Sequence, residues 1–162
     1  MLLQVLQAKS RDKRNNFMST LGNIKTQIKT ILETLVPTNI AAVEMADVRK
    51  NPLDGDIIGY PHAFIYPPSL ETSEWIDNKT SRREYVFAIM FIMKAENITS
   101  ASDVEDLMEV IMNTLENEIT LNGTANAGIF PSTSRPEAYS HGDKTYIVFD
   151  IIIRARALNV IA

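Results

Sequence analysis

The chain has 162 residues, a formal net charge of −4, 45% hydrophobic and 22% charged residues, and no cysteine. That length suits one domain with a substantial core, and the acidic balance gives no electrostatic ground for tight nucleic-acid binding. The lack of thiols excludes a disulfide framework, a thiolate metal site and a cysteine nucleophile.

Met1-Leu-Leu-Gln-Val-Leu6 is a short apolar run followed by Lys9, Arg11, Lys13 and Arg14. This reverses the charge order of a signal peptide, and no run in the chain reaches the ~18 apolar residues of a membrane span. Residues 1–17 therefore read as an extension, either loosely attached or an arm that reaches a neighbouring subunit, with residues 18–162 forming one domain. Leu21, Ile24, Ile28, Ile31, Leu32 and Leu35 then share one helical face; Ser19 or Thr20 is placed to cap it and Pro37 to stop it.

Residues 39–48 read as a short strand, and 49–56, with Pro52 and Gly55, as a polar loop. Tyr60–Tyr66 is extended, Pro61 marking a strand start or an edge. Residues 69–82 are polar apart from Leu70, Trp75 and Ile76 and predict a hairpin or excursion. Residues 84–95 then alternate Tyr85, Phe87, Ile89, Phe91 and Met93 with Val86, Ala88, Met90 and Ile92. Both faces of that strand are apolar, so helices are expected on one side and a further layer or another subunit on the other.

Ser102-Asp-Val-Glu105 has the form of a capping box. The helix it opens carries Val104, Leu107, Met108, Ile111, Met112, Leu115 and Ile119 on one face, and Asn122-Gly123 ends it or turns the chain. Residues 127–139 predict an irregular strand broken by Pro131 and Pro136, and His141-Gly-Asp143 a turn into the last strand. There Ile147, Phe149, Ile151, Ile153, Ala155 and Ala157 alternate with Tyr146, Val148, Asp150, Ile152, Arg154 and Arg156. Side chains alternate sides along a strand, so one face is apolar and the other mixed. The predicted fold is α+β: a mainly antiparallel sheet with two helices packed on one face.

No catalytic signature accompanies these elements. His62 and His141, the only histidines, lack ligand spacing and read as a partly buried strand residue and a turn residue. There is no phosphate-binding glycine motif and no nucleophile elbow. Asp54-Gly-Asp56 reads as a turn rather than a calcium loop, because the spaced oxygen ligands and closing glutamate are absent. The acids between Asp103 and Glu118 fall mostly on a solvated helix face, the methionines read as core, and the sequons at Asn78, Asn97 and Asn122 carry little weight without a secretory signal. No enzyme, metal or cofactor is expected. Arg154 and Arg156 read as solvated charge, or as partners of carboxylates across an interface or of Asp150 beside them.

The order of elements resembles the tail terminator (tail completion) proteins of long-tailed bacteriophages. The resemblance runs from about Met18 to Leu158. It rests on the opening helix, Tyr60-Pro-His-Ala-Phe-Ile-Tyr-Pro-Pro68, the strand from Arg83, the helix 102–119 and the strand Tyr146–Ala157. It implies a virion protein assembled in the host cytoplasm and located at the head-proximal end of the tail. Self-association into a ring, commonly a hexamer, would cap the tail tube protein, stop its growth and offer a docking surface to a head-completion protein. DNA would pass through the lumen without sequence-specific binding, and no membrane is involved. Under that resemblance Tyr85, Phe87 and Ile152 are candidates for subunit packing, Arg154 and Arg156 for rim or lumen charges, and Trp75 for an anchor on the tube or a small satellite core. The alternatives are another head-tail connector such as a head-closure protein, or a cytosolic α+β enzyme or ligand-binding domain.

Overall fold

A computed structural model describes residues 21–121, 123–125 and 127–160. The expected extension 1–17 and the Ser19 or Thr20 cap lie outside them. The first helix, α1, is helical over 21–33. It buries Ile24, Ile28, Ile31 and Leu32, the stripe its spacing predicts. Before Pro37 the last turn tightens, with bonds from Thr34 N to Ile31 O and from Leu35 N to Leu32 O.

Seven strands and a second helix follow. They are β1 (Ala42–Met45), β2 (His62–Ile65), β3 (Ser69–Trp75), β4 (Thr80–Lys94), α2 (Ala101–Glu116), β5 (Ile129–Thr133), β6 (Glu137–His141) and β7 (Lys144–Val160). They form one sheet in the order β1-β2-β4-β7-β5, with β3 also pairing β4 and β6 also pairing β7. Among the described residues only β1 and β2 run parallel. This is an α+β fold with a mainly antiparallel sheet.

The antiparallel pair β4–β7, of 15 and 17 residues, is the spine. Its register sets Phe87 opposite Ile153, Ile89 opposite Ile151 and Phe91 opposite Phe149. The Phe91 and Phe149 rings stack at 5.2 Å. These residues join Ile24, Ile28 and Leu32 of α1 and Val104, Leu107, Ile111 and Leu115 of α2 in a single core, so both helices cover the same face.

Three local expectations are corrected. The capping box is Ser100 with Asp103, two residues before the predicted Ser102 with Glu105: the Asp103 carboxylate accepts from Thr99 N at 2.7 Å and Ser100 N at 3.0 Å. The Thr99 hydroxyl, which donates to the same carboxylate at 2.8 Å, and then these backbone bonds hold that carboxyl below its ordinary value. The helix also stops at Glu116, leaving Ile119 exposed, while Leu121, with φ of +48°, turns back into the core. The irregular strand divides into β5 and β6 around Pro136, with Ser134 N bonded to Asp150 O at 2.8 Å.

The approach to β2 allows no side chain at Gly59. A Cβ there would lie 2.8 Å from the Ala41 Cβ, well inside van der Waals contact. Gly59→Ala is expected to cost about 1–3 kcal/mol through overpacking, read as a lowered thermal midpoint with the far-UV spectrum unchanged.

Candidate functional site

With one sheet face occupied by helices, what the chain can offer a partner lies on the second face and beyond the helices. The second face is formed by Val86, Ala88, Met90 and Ile92 of β4 and Val148, Asp150, Ile152, Arg154 and Arg156 of β7, set opposite one another by the register. It divides into three zones along the spine.

At one end the chain covers its own sheet. Phe64, Ile92 and Tyr146 form a second, smaller core beneath Ala46, Leu53, Ile57 and Tyr60. Burial and a hydrogen bond to Tyr146 push the Tyr60 hydroxyl up to about 12, and the Lys94 ammonium lies 5.2 Å from the centre of the Tyr60 ring. His62 is fully buried here, deeper than its strand position suggested. Its Nδ1 is 3.2 Å from Gly59 O and its ring stacks on Phe64 at 4.5 Å. Its Nε2 is 3.5 Å from Glu44 Oε1 without hydrogen-bond geometry, so that contact is electrostatic proximity only.

The middle zone is a groove of about 560 Å3 with Met90, Ile92, Val148 and Asp150 among the residues of its floor. Val48 and Leu53 line one side, Ala138 and Tyr139 the other. His141 Nε2, 3.1 Å from Asp54 Oδ1, ties β6 to the short 3-10 turn Pro52–Asp54 of the covering segment. Burial, with the charge of Glu137 nearby, raises the Asp150 carboxyl above its ordinary value. The proposed pairing of Asp150 with Arg154 or Arg156 does not form.

Both arginines instead turn to the third zone. Arg156 Nε donates to Glu84, and Arg154 Nη1 donates to Glu71 and, at 3.3 Å, to Glu84. The Arg156 guanidinium also lies 4.6 Å from the centre of the Phe130 ring. Four strands, β3, β4, β7 and β5, are thus laced by one charged network. Arg156 first, and then Arg154, holds the buried Glu84 carboxyl below its ordinary value. Arg154 and Arg156 are therefore paired within the chain.

Beyond the network the β3–β4 hairpin extends. All seven residues of β3 are exposed, and among the described residues that strand pairs only with β4. Its end is a built turn: the Asp77 carboxylate accepts from Lys79 N and Thr80 N, each at 2.7 Å, and Ile76 N donates to Thr80 O at 2.9 Å. Trp75, 64% exposed, and Ile76 stand at this tip. The satellite core weighed for Trp75 does not form among the described residues.

Two site assignments are corrected. Tyr85 and Phe87 were expected to pack against a neighbouring subunit, but they are 8% and 0% exposed in the helix-covered core. Their strand parity puts them on the helix side, and the β4 residues beside Ile152 on the open face are Val86, Ala88 and Met90. Ile152 lies on the open face, half-buried. The groove and the Glu71–Glu84 carboxylates went unforeseen. The alternation of β7 already put Asp150 and both arginines on one face, yet no local spacing signals partners some 70 or 80 residues away.

Among the described residues no three side chains of metal-ligating type gather, and no helix is long and apolar enough to cross a membrane. The site thus defines an α+β domain with one sheet face covered by helices and the other only partly covered by its own chain.

No protein-family model matches the chain. No curated protein matches it. Among solved structures, a chain of the virion of a native gene transfer agent particle is similar at 16% identity and a TM-score of 0.45, over 84% of this chain and 92% of that one.

Proposed function

We propose that this chain is a structural subunit of a phage-type virion, and specifically a tail terminator. It assembles into a ring, a hexamer in the family it resembles, that caps the tail tube, ends its growth and presents a docking surface to the head. The observation that carries this reading is the β3–β4 hairpin: seven exposed residues in β3, ending in Trp75 and Ile76 on a turn fixed by Asp77. A large aromatic held in the open by a defined turn is a common form of interface anchor. The partly uncovered second face supplies a different patch, as a closed ring of heterologous contacts requires.

In this reading the protein performs no turnover, and its work is done by surfaces. The tube protein and the head-completion protein are its neighbours above and below, and DNA crosses the lumen without being read. Each subunit contact would need roughly 1,600 Å2 in total for stable association, more than the hairpin tip alone supplies, so the second face contributes as well.

Electron microscopy of virions lacking the protein tests the role. Overlong or headless tails are the expected result, and tails of normal length already joined to heads would refute it. Tails of normal length that fail to join heads would move the protein to head closure. At the residue level, Trp75→Ala is expected to weaken ring assembly or tube capping by about 30-fold, the loss of one aromatic anchor. Because Trp75 lies outside the core, the thermal midpoint of the isolated chain should barely change. Light scattering and thermal unfolding of the same sample separate the two effects.

A further inference from the structure

The floor of the groove on the second face presents one half-buried carboxylate, Asp150, among Met90, Ile92 and Val148, and the exposed Glu137 lines the groove as well. A carboxylate drawn partly out of water beside apolar side chains is unfavourable unless a cation or donors reach it. Among the described residues no ion pair supplies that cation. Lys50 and Arg135 line the groove but are exposed. The site thus has the chemistry of an apolar slot with one half-buried negative charge in its floor and exposed charges of both signs at its rim.

The chain carries a segment of matching composition. Met1, Leu2, Leu3, Val5 and Leu6 are apolar, and Lys9, Arg11, Lys13 and Arg14 follow against the single acid Asp12. That basic run contrasts with the net charge of −4 of the whole chain. We propose that the groove receives the N-terminal segment Met1–Arg14 of a neighbouring copy, its aliphatic residues on Met90, Ile92 and Val148 and its basic residues against Asp150 and Glu137.

Length favours the neighbour over the same chain. Leu21, the first described residue of α1, is on the helix side of the sheet, and the groove is on the other. Passing over the helix layer, round a sheet edge and back to the groove takes roughly 30 Å, at about 10 Å per layer and ~4.8 Å per strand. The seven steps from Arg14 to Leu21 reach at most ~25 Å when fully extended. A neighbour whose α1 begins beside this open face avoids the detour. The inference rests on the ring reading, and it makes each subunit both donor and acceptor of a segment, a contact that closes only when the ring closes.

The absence of native cysteine allows a direct test on the full-length chain. Leu3→Cys and Val48→Cys variants, the second on the groove wall, are mixed and mildly oxidised while light scattering reports the oligomer. Disulfide-linked dimers are expected in the mixture. They should fall at least about tenfold with Asp150→Lys, or when Lys9, Arg11, Lys13 and Arg14 are all changed to Glu, a change that leaves the groove intact. Rings without the cross-link would overturn the docking and leave the ring reading standing. A cross-link confined to single chains carrying both substitutions would overturn docking by a neighbour. A chain that stays monomeric would remove the ring reading and the neighbour with it.

Discussion

Replacing Phe87 with alanine is expected to lower the stability of the isolated chain by about 3–5 kcal/mol, the range for emptying a phenylalanine site in a core. Phe87 is fully buried, lies opposite Ile153 across the spine and belongs to the cluster shared by both helices. The removed ring would leave a cavity between rigid β-strands and helices that have little room to close over it. Denaturant unfolding at concentrations where the chain is monomeric reads the effect as a lowered midpoint with an unchanged slope. The companion measurement is Ile152→Ala on the open face. Ile152 is only half-buried, so its monomer cost should stay within about 1 kcal/mol, while ring assembly weakens. The opposite pattern, with Phe87→Ala disturbing assembly and sparing the monomer, would return Phe87 to an interface and remove the core assignment.

That pair of variants also marks how far the sequence could be read. Alternation placed the residues from Tyr146 to Ala157 of β7 on the correct faces, because one set is apolar throughout and the other mixes charge with aliphatic carbon. In β4 the two sets, Tyr85–Phe87–Ile89 and Val86–Ala88–Met90, are both apolar, so periodicity cannot say which meets the helices. The register with β7 decides it, and register is a property of two strands some 60 residues apart. The helix α2 was legible in its stripe but not in its start: Ser100 and Ser102 are both competent caps, and Asp103 is better placed to reach back to Ser100 than Glu105 is to Ser102. The covering segment 46–60 was hidden for a different reason. Its apolar residues, Ala46, Leu53, Ile57 and Tyr60, follow neither the helical nor the strand period, since an irregular segment buries side chains wherever its turns direct them. The groove depends on where that segment lies, and it was invisible for the same reason.

The charge network changes what the two arginines can test. Reversing both, Arg154→Glu with Arg156→Glu, would set two new carboxylates beside Glu84 and Glu71 on neighbouring strands. Glu84 is buried, so it would lose its counter-charges with little water to replace them. The double reversal is expected to lower the thermal midpoint of the monomer by several degrees, and failed assembly in that variant would say nothing about an interface. A neutral triple variant, Arg154→Met, Arg156→Met and Glu84→Gln, removes the charges together and keeps the volume, so the fold should survive. If the network's outer surface meets a neighbour, the triple variant unfolds like the wild type yet assembles poorly. If it assembles normally, the arginines serve only their own sheet. The pH dependence separates the same two roles. Arg156, and then Arg154, lowers the Glu84 carboxyl from its ordinary value of 4.5. That pairing stabilises the fold fully above about pH 4.5, the unfolded-state value, and is lost as pH falls through the lower folded value. The wild-type chain should therefore lose stability more steeply below about pH 4.5 than the triple variant, measured as thermal midpoints between pH 3 and pH 7. Parallel acid limbs would show that Glu84 gains nothing from the arginines, and the network would then reduce to solvated charge on an open sheet face.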